Sequence, residues 1–106
     1  MKRDFSKELI GIPGSITPDN EGRYPTLGAV TVGALLANFQ DEASLPGDEK
    51  LRRYKLAERI SQGGLQEVSA EEVALIKKLI AKAHAIAIVG PAYEALEQDP
   101  TARAVS

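Results

Sequence analysis

From residue 26 onward, apolar side chains recur at intervals of three and four, the period of a helix that turns one face to a core. Leu27, Val30, Ala34 and Leu35, widened by Val32, Leu36 and Phe39, predict a first helix from Thr26 to Phe39-Gln40, with Thr26 as N-cap behind Pro25. Gly28 and Gly33 each lower its helix propensity by roughly 1 kcal/mol relative to alanine. Small residues admit a close neighbour, so this helix is expected at the centre of the fold. Leu51, Tyr54, Ala57 and Ile60 form the inward stripe of a second helix over about Pro46–Ser61. Its acidic first turn suits the helix dipole, Asp48 with Arg52 and Glu49 with Arg53 are i,i+4 pairs, and Gly63-Gly64 stops it.

The third helix has the clearest start: Ser69-Ala70-Glu71-Glu72 fits a capping box, with Val68 placed to staple onto Val73. Val73, Ile76, Ile80 and Ala83 make its apolar line, broadened by Leu75 and Leu79. The pattern leaves residues 85–89 open between helix and extended chain, and Gly90-Pro91 is read as the stop. A short fourth helix from Pro91 turns Tyr93, Leu96 and Ala92 or Ala95 inward and fades by Gln98-Asp99-Pro100.

Residues 1–25 lack the helical period. Glycines and prolines every few positions block a helix there. Pro13-Gly14 signals one turn, and Asp19-Asn20-Glu21-Gly22 signals another between Ile16-Thr17 and Arg23-Tyr24, which suits a short β-hairpin. Phe5, Leu9, Ile10, Ile12 and Ile16 point to an arm packed on the core, or to one that docks on a partner. The expected fold is mostly α: an arm over 1–25, a compact three- or four-helix domain over 26–98, and a frayed tail over 99–106.

Composition narrows the chemistry. At 106 residues the chain supports one modest core. It has no cysteine, which excludes disulfides, thiol nucleophiles and Cys-ligated metals, and its one histidine, His84, excludes a two-histidine metal site. His84 sits among Ala83, Ala85 and Ile86, with no orienting partner nearby in the sequence, and reads as a helix-terminal residue. Asp41-Glu42, Asp48-Glu49 and Glu71-Glu72 lie at helix ends, where capping and dipole effects account for them. No catalytic residue, cofactor or metal is therefore expected, and no enzymatic activity. The net charge of −2 implies no bulk attraction to nucleic acid or to an anionic membrane. Residues 1–8 have no apolar run behind their basic residues, and the longest apolar stretch, 85–89, is far below the ~20 residues of a membrane helix. A soluble, intracellular protein is expected.

Three patterns compete for a function. Ser61–Glu72 joins two helices as a calcium loop does, but Gly63 and Leu65 supply no side-chain oxygen where ligands are needed. Arg52, Lys55 and Arg59 share one face of the second helix and could meet phosphates. Asp48, Glu49 and Glu58 are interleaved with them, and no aromatic stacking residues alternate there. The third pattern is the surplus of apolar surface from Ile80 to Leu96.

Three blocks look familiar in order and spacing: Thr26-Leu27-Gly28-Ala29-Val30 with Ala34-Leu35-Leu36; Gly47 through Ala57; and Val68 through Ile80, followed by Val89-Gly90 and Leu96-Glu97. Over residues 5–97 the chain resembles short proteins encoded in tailed-phage and prophage genomes. The resemblance implies a small accessory or assembly protein in the cytoplasm of a bacterial host or on the virion. It implies no catalytic residues. The leading reading is a non-enzymatic module that binds a phage structural protein, a host protein or a second copy of itself, through Phe5, Ile86, Ile88, Val89 and Tyr93. The alternative is a nucleic-acid-binding regulator using Arg52, Lys55 and Arg59.

Overall fold

A computed structural model describes residues 1–99. It contains β1 (Lys2–Asp4), α1 (Leu27–Leu36), α2 (Gly47–Ile60), β2 (Leu65–Glu67), α3 (Ala70–Ala83) and α4 (Ile86–Glu97), with one 3₁₀ turn at Gln40–Glu42. The fold is mostly α. The helix packs as the small residues suggested: α1 lies against both α2 and α3, and α4 packs on α3. Leu27, Ile60, Ile76, Leu79, Ile80 and Leu96 are fully buried between them.

The N-terminal segment is built into this core. Phe5, Leu9 and Ile16 are buried, while Ile10 and Ile12 stay at the surface. The first amides of a helix have no partner inside it. In α1 the Leu27 N–H donates to the Lys7 carbonyl, the Gly28 N–H to the Phe5 carbonyl (both 2.8 Å), and the Ala29 N–H to the Thr26 hydroxyl at 3.1 Å. Thr26 is thus the N-cap, as expected, and two backbone carbonyls of the arm complete the cap. The opposite end of the molecule is tied by the same segment. Arg3, buried, donates from Nε to the Leu96 carbonyl in the last turn of α4, where an orphan acceptor and the helix dipole favour a cation.

The hairpin expected between Ile16 and Tyr24 does not form. Asp19 closes a tight turn instead: its Oδ1 accepts from the Glu21 and Arg23 amides, each at 2.9 Å. Pro18 and Pro25 flank the turn and have no N–H to give a ladder. The strand pairing lies elsewhere, with β1 antiparallel to β2 and Lys2, Arg3 and Asp4 opposite Glu67, Gln66 and Leu65.

Three helix boundaries or faces differ from expectation. α1 stops at Leu36, because the chain turns out at Ala37 and packs Phe39 under the Lys82 ammonium, 4.5 Å from the ring centre. The buried face of α2 is Arg53, Leu56, Ala57 and Ile60; Leu51 and Tyr54 point outward. α4 begins at Ile86, not Pro91. The break falls at His84-Ala85, both extended, and Pro91 stands inside α4. Gly90 permits this, since a preceding residue without Cβ avoids much of the clash with the proline ring. Residues 86–89 are therefore helical, as the opening turn of α4. The capping box of α3 is complete, with Glu72 N–H to Ser69 Oγ at 3.1 Å and Ser69 N–H to Glu72 Oε1 at 2.9 Å. Residues 100–106 of the predicted tail lie outside the described residues.

Gly28 and Gly33 have opposite roles. A Cβ on Gly28 would lie 2.7 Å from the Phe5 carbonyl oxygen, whereas one on Gly33 would meet nothing within 4 Å. Gly28→Ala is expected to destabilise the fold by ~1–3 kcal/mol, as overpacking against backbone does. Gly33→Ala is expected to stabilise it by up to ~1 kcal/mol through helix propensity alone. Urea unfolding of both variants checks the contrast, and equal effects would refute the capping role of the arm.

Candidate functional site

The surface that stands out follows from two local choices. Pro13-Gly14 forms the expected turn, closed by the Ser15 N–H on the Ile12 carbonyl at 2.9 Å. That leaves Ile12 at a turn tip with no route to the core, 77% exposed. Ile86, the first residue of α4, is 91% exposed. Gly11 brings the two elements together. It has φ +61, and a Cβ there would lie 2.9 Å from Cγ of Pro91, so the 11–15 turn rides directly on α4. Between them runs an apolar groove of about 780 Å³, lined by Ile12, Pro13, Ile86, Ala87 and Pro91 with Glu94 at its edge. It continues into a second hollow of about 320 Å³ along α4 toward Gln98, where Ile10 and Glu8 join Pro91 and Glu94. Pro91 has no N–H, so the bond residue 91 would give the Ala87 carbonyl is not made.

The chain matches no family model, no curated protein and no solved structure.

Of the five residues proposed for partner binding, Ile86 lines the groove. Ile88 and Val89 are half-buried against the core. Tyr93 is half-buried too; its hydroxyl donates to the Lys77 carbonyl at 2.9 Å, and Lys77 lies over its ring. Phe5 is 1% exposed in the core beneath α1, so it cannot present itself to a partner. Ile10 and Ile12 were read from the sequence only among the arm residues that pack or dock, and Glu94 was not singled out. The signal for Ile12 was available: an isoleucine between a glycine and a Pro-Gly turn is held at the tip.

The basic face of α2 is largely committed to internal pairs. Arg52 meets Glu49 at 3.4 Å, in place of the expected Asp48, and Arg59 reaches across to Glu72 at 2.7 Å. Lys55 is exposed. The remaining arginine, Arg53, is buried and grips Glu42 with both terminal nitrogens, at 2.7 and 2.8 Å. Its Nε lies 3.7 Å from Glu49, the i,i+4 partner read from the sequence. Lys82 adds contacts to Asp41 at 2.9 Å and Glu42 at 3.4 Å. The Asp41-Glu42 pair therefore clamps the α1–α2 linker to α2 and α3, a role beyond helix-end electrostatics. His84 is the half-buried C-cap of α3, its N–H on the Ile80 carbonyl at 3.0 Å. In the 61–72 stretch Glu72 is spent on Ser69 and Arg59. Among the described residues no three His, Asp or Glu side chains gather in a way that could hold a metal. No helix among them is long and apolar enough to cross a membrane.

The clamp has a pH signature. Bidentate hydrogen bonds from Arg53 hold the Glu42 carboxyl at about 2, against burial that pushes it up, with further attraction from Arg53 and Lys82. A depressed folded-state value contributes stability above the ordinary glutamate value of 4.5, lost as pH falls toward about 2. Glu42→Gln is expected to be less stable than the parent at pH 7, and the gap between their thermal midpoints should narrow from pH 4.5 to 2. A gap unchanged over that window would show that the clamp is not ionic.

Proposed function

We propose that this chain is a non-enzymatic protein-binding module, an accessory of the phage type its sequence pattern resembles. It acts in virion assembly or by binding and modulating a host protein, in the bacterial cytoplasm or on the virion. Its contact surface is the cleft between the Gly11–Ser15 turn and the first half of α4. Its occupant is an apolar segment of a partner protein.

The observation that carries this reading is the pairing of Ile12 and Ile86, both nearly free of the core, on the two walls of one groove. Burying two such side chains in a partner is worth ~1.5–3 kcal/mol each, enough to make them anchors. Single exposed apolar residues are ordinary; two facing each other across a concave apolar surface mark an interaction site. The regulator reading gains nothing comparable, because Arg52 and Arg59 already hold carboxylates.

Ile12→Asp and Ile86→Asp test it. Both positions lie outside the core, so stability should change by no more than ~0.5 kcal/mol. Pull-downs from bacterial lysate, with and without phage infection, should show a partner retained by the parent and lost by both variants. A parent that is a monodisperse monomer and captures nothing, or that captures the same proteins as the variants, would overturn the proposal.

A further inference from the structure

The cleft is chemically one-sided. Its walls are apolar at Ile10, Ile12, Ile86 and Pro91, and its ionised groups are chiefly carboxylates, with Glu94 along both parts and Glu8 on the part toward Gln98. Among the described residues neither glutamate has a cationic partner within ion-pair distance. Lys7 lines the part toward Gln98 as well and directs its ammonium to the Gln98 side-chain oxygen at 3.3 Å, not to either glutamate. The nearby cation of α3, Lys77, is held by Glu97 at 2.9 Å. At the opposite end, the Ala87 carbonyl lacks the donor that any residue but proline would supply at position 91. The cleft thus combines apolar surface with unanswered acceptors.

Resting on the reading of this cleft as a protein-binding surface, we infer that its partner is a basic-apolar segment: a short stretch of another protein with two or three apolar side chains for the Ile12–Ile86 groove and a lysine or arginine for Glu94 and Glu8. Two unpaired glutamates against one lysine on an apolar floor favour a cationic partner over an anionic one, and complementary charge sets which peptide is admitted and how fast it arrives. The apolar pairs supply affinity, and the two glutamates supply selection.

A displayed library of random twelve-residue peptides is the probe, panned on the intact chain, on Ile86→Asp and on the double variant Glu8→Lys/Glu94→Lys. The intact chain should enrich peptides that combine apolar pairs with lysine or arginine, and Ile86→Asp should enrich none of them. The double variant should turn the preference toward aspartate and glutamate, with a change of about tenfold or more in the affinity of a selected basic peptide measured by fluorescence anisotropy. Peptides that require Ile86 but show no charge preference, equally well held by the double variant, would overturn this inference and leave the proposed function standing. No enrichment on the intact chain over Ile86→Asp would overturn both. Light scattering that shows a dimer abolished by Ile86→Asp would assign the cleft to a second copy and overturn the inference as well.

Discussion

The fold depends on the Phe5 carbonyl reaching the Gly28 amide. A helix packed at the centre of a small domain needs partners for its first N–H groups, and the arm lies over the start of α1 and supplies them. Thr26 answers one of these donors with its side chain, and the other two are answered by main-chain carbonyls of Phe5 and Lys7. That approach is possible because residue 28 has no side chain. Once the arm is seated there, Phe5 and Leu9 fall into the core, β1 lies beside β2, and Arg3 is carried to the end of α4. The glycine that weakens α1 as a helix is what lets α1 be capped.

What was legible in the chain follows from the range of the interactions involved. Thr26, the capping box of Ser69 and Glu72, and the period of α3 are local, and each appears where the pattern put it. The stripe of α2 was right at Ala57 and Ile60 and wrong in its first half, where Arg53 is buried and Leu51 and Tyr54 are not. A sequence window cannot show that Glu42, on another element, neutralises Arg53. The β1–β2 pairing was invisible for the same reason, with partners far apart in the chain and no period to mark three-residue strands. Gly90-Pro91 misled because a glycine before the proline removes the Cβ part of the clash that usually ends a helix there.

The site was half legible. An apolar surplus near Ile86 was evident from the run of residues alone, and Ile86 does stand clear of the core. Its counterpart Ile12 was assigned to the arm's packing, because only the fold shows that Gly11 and Pro91 touch and so place the two isoleucines on facing walls. Phe5 went the other way. In a segment read as packed on the core or docked on a partner, it suggested a docking anchor, yet the segment caps α1 and Phe5 is buried there.

The guanidinium of Arg3 on the Leu96 carbonyl has a consequence for how the protein is made. The early segment is made before its partners, and those partners arrive in stages: Leu27 and Gly28 for Lys7 and Phe5, then β2, then Leu96 of α4, 93 positions beyond Arg3. The cap of α1 can close as soon as α1 has been made, whereas Arg3 has no acceptor until α4 follows. Closing the long loop from Arg3 to Leu96 is entropically costly, so this contact follows the shorter-range ones. The segment is therefore seated in two steps, with Phe5 and Leu9 placed by the nearby start of α1 and Arg3 locked onto α4 afterwards.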